Sequence, residues 1–442
     1  MKPKSSNFQT VLIVVFVVLA VAGAVFFANP EEKKDSKIAG ATGVAVIWGT
    51  YPIPPDFQDM ISRFNKQYEG SFSISYQAFD PRTFDRDIVE ALASGRGPDI
   101  LLLPDDLILR HADKLIPIPY TETFGQREFR EQFIQASEYY LRPNGMLAYP
   151  FAIDPMVMYW NRDIFSSASI AQPPKYWDEF LTMAPKLTKF DRNQRITQSA
   201  VAFGEYDNVR NAKSILSMLF LQTGSPIVYP EEGAPVVALS KFAGGQPNPS
   251  AEMALRFYMD FSNPQKTVYS WNRSKLNSED EFLAGNLAVY FDYASSYGRL
   301  RQKNPNLNFA VAPVPQLRDR KTEITIARLH GLAALKSSKN LQTAYVVIRL
   351  LLEPENAATF ARVFNLPPVR RDLLSQRPAS PEMSVAYDAA IRSRTWLDPR
   401  PEETEKEFAN LVDSVSSGRA STYLAIQTLE GRLEELVASY KK

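Results

Sequence analysis

The sequence predicts an α/β protein of two lobes preceded by one transmembrane helix, and three observations carry that expectation. The chain has 442 residues, more than one hydrophobic core usually covers. Over 44–104, strand and helix spacings alternate as strand, helix, strand, helix, strand, the pattern of a parallel α/β layer. The run VLIVVFVVLAVAGAVFFA (11–28) carries no charge; as a helix it spans roughly 27 Å, close to the ~30 Å of bilayer hydrocarbon.

Lys2 and Lys4 precede the apolar run. They favour an N-terminus inside, which places everything after it outside the cytoplasm. Ala20-Val21-Ala22 resembles a cleavage site, so a removed signal peptide is the alternative. The apolar run continues through Val25, Phe26 and Phe27, longer than a signal core, and this favours an uncleaved anchor. Residues 1–10 are then a cytoplasmic N-terminus, 11–28 the anchor, 29–43 a charged and then small-residue linker, and 44–442 the folded part.

VAVIW (44–48) is a buried strand by composition. Phe57, Met60, Ile61, Phe64 and Tyr68 fall at helical spacing, whereas Phe72, Ile74, Tyr76 and Ala78 alternate as in a half-buried strand. Phe84, Ile88 and Leu92 mark a second helix, closed by Gly95 and Gly97. PDILLLP (98–104) is apolar without alternation, which suits a strand buried on both faces. GMLAYPFAIDPMVMYWNRDIF (145–165) combines five aromatic rings, Tyr149, Phe151, Tyr159, Trp160 and Phe165, with Asp154 and Asp163. If it is a strand, Tyr159 and Trp160 point to opposite faces, and core packing is the expected fate of either. PPKYWDEFLTMAPKL (173–187) reads as a turn and helix, and KFDRNQRIT (189–197) as a polar hairpin or loop. Residues 212–223 and 250–262 have helical spacing. NLAVYFDY (286–293) and NFAVAPVP (308–315) read as strands flanking the helix-like SYGRLRQK, and 324–335 as another apolar segment. From Lys339 onward the pattern is helical, interrupted by LPPVRRD (366–372) and DPRPEE (398–403). No internal repeat or low-complexity tract is present.

Composition excludes several functions. Lys and Arg total 50 against 49 Asp and Glu, a formal charge of +1, so no general attraction to nucleic acid is expected. No Gly-rich phosphate loop opens a helix. There is no cysteine and only two histidines; disulfides, thiolate chemistry and His-cluster metal sites are not expected, and no cofactor is called for. Aromatic residues make up 12%, compatible with a ring-lined ligand surface.

From about Val44 to Leu436 the chain resembles the extracellular solute-binding proteins of the maltose/oligosaccharide-binding type (family 1), which feed ABC importers. GRGPDILLLP, the 145–165 segment, PPKYWDEF, FLAGNLAVYFDYASS, NFAVAPVPQL, HGLAALKSSKNLQTAYVVIRLLL and FNLPPVRRD follow one another in the family's order. The resemblance implies a two-lobe periplasmic-binding-protein-like fold with a hinge and an interlobe ligand cleft. Lobe 1 is expected over about 44–151 and 298–345, lobe 2 over about 152–297, with helices 346–442 shared. It implies a small-molecule solute, a carbohydrate, and a membrane ABC permease as partners.

A sugar site needs flat aromatic faces together with carboxylates that accept from hydroxyls. Asp154 falls where the family pattern places a cleft acid; a structural hinge bond is the alternative reading. Asp106 follows the strand ending at Pro104, where α/β clefts bind ligands, and it could equally cap a helix starting at Leu107. Trp48, Thr50 and Tyr51 end the first strand, with Trp48 divided between core and stacking. The family's Gly-x-Trp falls on Tyr293 and Ser295, and an aromatic residue common before the later Gly is His330 here; both departures put a maltodextrin-like ligand in doubt. Trp271 and Tyr297 are replacement platforms. Arg370 could reach an acidic ligand, but a solvated arginine is the simpler reading.

The expected function is a non-enzymatic, membrane-tethered solute carrier. A ligand sensor or scaffold with a membrane partner is the alternative. A glycosidase would need two carboxylates at a set separation; Asp105–Asp106 and the pairs Glu31–Glu32, Glu231–Glu232 and Glu402–Glu403 supply acids, but adjacent residues rarely project to one site at that separation.

Overall fold

The folding of this sequence follows from where its apolar spacing changes period. β1 (Gly43–Gly49) buries Ala45, Ile47 and Gly49 on alternate positions. Pro55 then opens α1 (Pro55–Gln67), a position that needs no backbone N–H, and the helix buries Phe57, Met60, Ile61 and Phe64. The Asn65 amide donates to the Ile74 carbonyl and accepts from its N–H (3.0 and 2.7 Å), latching α1 to β2 (Phe72–Ala78). α2 (Phe84–Ala93) and β3 (Ile100–Pro104) complete the unit. β2, β1 and β3 are parallel. The computed structural model describes residues 38–122, 124–231, 234–241 and 246–440. The apolar run 11–28 lies outside them; among the described residues no helix is long and apolar enough to cross a membrane.

A turn (Asp105–Leu107), α3 (Ile108–His111), α4 (Gln126–Gln132), β4 (Leu141–Arg142) and β5 (Gly145–Met146) lead into β6 (Tyr149–Asn161). α5 (Arg162–Ser167), α6 (Trp177–Leu187), β7 (Lys189–Phe190) and β8 (Ile196–Val201) follow. The polar segment at 189–197 is a hairpin: Asp191 accepts from the Asn193 and Arg195 N–H groups at its turn. Next come α7 (Ala212–Thr223), β9 (Ile227–Glu231), β10 (Ala234–Ala238), α8 (Ser250–Asp260), α9 (Ser278–Leu283), β11 (Leu287–Tyr293), α10 (Ser296–Lys303) and β12 (Phe309–Ala312). β13 (Thr325–Ala334), α11 (Leu341–Leu351), α12 (Pro354–Val363), α13 (Arg371–Leu374), α14 (Pro381–Arg392), β14 (Ser393–Arg394), α15 (Pro401–Ser416) and α16 (Thr422–Ala438) close the described chain.

The main sheet runs β2-β1-β3-β13-β6-β11-β8-β7, but it serves two separate cores. One gathers Ile47, Phe57, Leu102, Ile153, Leu329 and Phe360; the other gathers Met158, Phe203, Leu219, Phe291, Phe408 and Leu433. The chain changes core in β6 between Ile153 and Met156, in β13 between Ile326 and Ala327, and again along α14 and β14. These crossings are the hinge. The expected first-lobe stretch 298–345 divides there. Leu300, Phe309 and Ala312 pack in the second core, because β12 pairs with the far half of β6; only from Ala327 onward does the chain rejoin the first lobe.

Gly331 marks the irregularity in the β13–β6 ladder. A Cβ there would stand 2.8 Å from the Ala148 Cβ and 2.9 Å from the Tyr140 ring. Only glycine lets β13 pass this close while carrying Arg328 and His330 to the hinge.

Candidate functional site

Polar side chains collect where the three crossings meet. β3 ends at Pro104, and the turn after it delivers Asp105 and Asp106 at the carboxyl end of a parallel strand. Asp105 accepts from the Leu329 N–H at 3.0 Å and from the Thr395 hydroxyl, tying the turn to β13 and to the segment after β14. Asp106 makes no capping bond at this turn, and its Oδ1 is buried without a hydrogen-bond partner. Burial raises both carboxyls above the usual carboxylate range. The neighbouring Asp106 charge adds to this for Asp105, and the Asp398 charge for Asp106.

Asp154 lies on β6 just before the strand changes core, and it is only 7% exposed. Its two oxygens accept from the Ser295 N–H at 3.0 Å and the Ser295 hydroxyl at 2.5 Å. The carboxyl therefore fastens β6 to the loop between β11 and α10, and burial pushes it up to about 6 despite those donors. This is the hinge bond that the sequence left open beside ligand contact.

Tyr293, 3% exposed at the end of β11, donates to the Ser214 hydroxyl at 2.8 Å. The Arg328 guanidinium carbon stands 3.8 Å from the centre of its ring. Arg328 keeps solvent exposure although its neighbours Ala327 and Leu329 on β13 are buried. His330, two residues on, faces Tyr51, whose hydroxyl lies 3.3 Å from His330 Nδ1. Burial, with the Arg328 charge added, holds His330 down at about 3, so the imidazole stays neutral. Behind Tyr51, Phe360 and Phe364 pack edge-on and tilted at 5.2 and 4.8 Å. From the second lobe, Lys213 at the start of α7 pairs with Asp398 and donates to Thr404 at 2.7 Å. Its charge reaches Asp106 in the first lobe.

The structure thus brings Tyr51, Asp106, Asp154, Tyr293, Ser295 and His330 to one interlobe region. Trp48, next to last in β1, is half-buried, its ring 4.4 Å from Phe79, and Thr50 is half-buried in the following loop. Two candidates do not join. Trp271 is fully buried in the second core and donates to Asn208 at 3.0 Å, so it offers no stacking face. The Tyr297 ring is taken up by Phe309 at 5.7 Å and by Arg301. Arg370 is likewise committed, to Asp372 and the Leu352 carbonyl. Tyr159 is core, its hydroxyl donating to the Tyr293 carbonyl at 2.8 Å.

Sequence reasoning passed over Arg328, Lys213 and Asp398, and read Asp105 only as one of an adjacent pair of acids. Arg328 had a signal: a lone cation in the apolar run ITIARLHGLAAL, two residues before His330 and hence on the same face of a strand. Among the described residues no group of His, Asp and Glu is arranged to hold a metal.

A model of the bacterial extracellular solute-binding protein family matches residues 59–388. This chain belongs to that family. The solute-binding protein is accordingly a carrier and not a catalyst. A binding protein of Brucella abortus (strain 2308) is 21% identical over 346 residues, covering 76% of this chain and 78% of the relative. Among solved structures, a cyclo/maltodextrin-binding protein complexed with maltotetraose superposes with a TM-score of 0.71 at 15% identity, covering 90% of this chain and 97% of the other. The cyclic α-maltosyl-1,6-maltose-binding protein of Arthrobacter globiformis gives 0.72 at 14% identity, covering 90% and 99%. At these identities the likeness is one of fold, the two-lobe periplasmic-binding-protein-like architecture.

Proposed function

We propose that this solute-binding protein captures a sugar or oligosaccharide between its lobes and delivers it to an ABC-type importer, held at the outer face of the membrane by the helix predicted over 11–28. The observation that carries the reading is the convergence of Tyr51, Asp106, Asp154, Tyr293 and His330 on the hinge, from strands and the loops that follow them in both lobes. Aromatic rings beside a carboxylate with a free oxygen, Asp106, are what a saccharide needs, and a site built on the crossings senses lobe closure directly. Solved structures of similar fold that hold maltotetraose, α-D-tagatose and mannotriose support the ligand class. A tether would raise the protein's local concentration beside a permease.

A thermal-shift screen of the full chain against monosaccharides, oligosaccharides, polyols and amino acids tests the reading. Ligand that binds only the folded state raises the midpoint by mass action. A shift confined to one sugar class, and lost in Tyr293→Ala, is the expected result. A folded protein that responds to no sugar but to another solute class would overturn the saccharide reading.

A further inference from the structure

Arg328 stands directly opposite Asp154 in the β13–β6 ladder, where partner side chains share a face and opposite charges normally pair. No such pair forms. Asp154 gives both oxygens to Ser295, while Arg328 lies across the Tyr293 ring, exposed, and among the described residues none of its N–H groups reaches an acceptor. The other acids of the region are committed elsewhere. Asp105 accepts from Leu329 and Thr395, Asp292 from Asn211 and Arg299, and Asp398 from Lys213 and Thr404. Asp106 alone keeps a free oxygen, Oδ1. Lys213 is neutralised by Asp398, and Arg299 by Asp292 and Glu279.

We propose that the solute is an oxyanion-bearing saccharide, a uronate or a sulfated sugar, whose anionic group pairs with Arg328 while a hydroxyl donates to Asp106. The inference rests on the saccharide reading above and names its class. A guanidinium presents its N–H donors as a planar fork, the geometry that carboxylate and sulfate groups match with two parallel bonds, and the Tyr293 ring 3.8 Å away holds it in place. A neutral sugar would leave that fork with no hydrogen-bonded oxyanion, since Asp154, Asp292 and Asp106 act on Arg328 only through space. The hinge position adds selectivity, because closure removes water from around Arg328 and makes an unmatched cation more costly.

Calorimetric titration of the full chain with trigalacturonate, galactose 6-sulfate and neutral galactotriose tests this. One oxyanion probe should bind at least tenfold tighter than the neutral one, and which of the two does so separates carboxylate from sulfate. Arg328→Gln should erase that preference while neutral saccharides still bind, and Arg328→Lys should retain only part of it. Equal affinity for neutral and charged probes, or a preference that survives Arg328→Gln, overturns the inference and leaves the saccharide reading standing. Failure of every saccharide to bind the folded chain overturns both.

Discussion

Replacing Asp154 by asparagine separates the two things this carboxyl does, fastening the hinge and carrying a charge into a buried place. Its side chain moves from 3.8 when free to about 6 in the fold, chiefly through burial. A carboxyl whose pKa is raised by folding contributes stability that is full below about pH 4 and is lost as the pH climbs through 6. The loss amounts to on the order of 3 kcal/mol by pH 7.5. Asparagine keeps the size and an oxygen that can accept from the Ser295 N–H, and it never ionises. The Asp154→Asn protein should therefore be more stable than the parent by about 1–3 kcal/mol at pH 7.5 and no more stable at pH 4. Urea unfolding at the two pH values reads the difference. If Asp154→Asn is the weaker protein at pH 7.5, the charge-assisted bonds from Ser295 outweigh burial, and the account of this hinge is wrong.

Gly331→Ala should destabilise the first lobe by about 1–3 kcal/mol, because its Cβ must displace Ala148 and Tyr140; the urea midpoint measures it. Trp271→Phe, which loses the Asn208 bond in a packed core, should cost about 1–3 kcal/mol and leave solute affinity unchanged. A calorimetric titration in which affinity falls would return Trp271 to the site. His330, held neutral by burial and Arg328, should show no imidazole titration by NMR between pH 5 and 8.

The fold was largely legible in the sequence because its elements carry unmixed periods: Phe57, Met60, Ile61 and Phe64 at helical spacing, and Ile100 to Leu103 without alternation. The division of 298–345 was not legible, since the strand at Phe309 reads the same whichever half of β6 it pairs with. At the site, Asp106 was visible from its place after a parallel strand. Trp271 misled because an indole that fills a core has the same composition as one that stacks on a sugar; only its bond to Asn208 and its zero exposure separate the two. Lys213 and Asp398 lie 185 positions apart in sequence, and nothing local announces their pairing.

Solute capture in this fold requires the two lobes to close at the hinge. A chain without cysteine allows one label on each lobe, through Glu90→Cys on α2 and Lys186→Cys on α6, both exposed positions. Spin-label distances between them should show one population without ligand and move to a second, distinct distance when the sugar identified by thermal shift is saturating. A distribution that stays unchanged while that sugar is bound would contradict lobe closure as the mechanism.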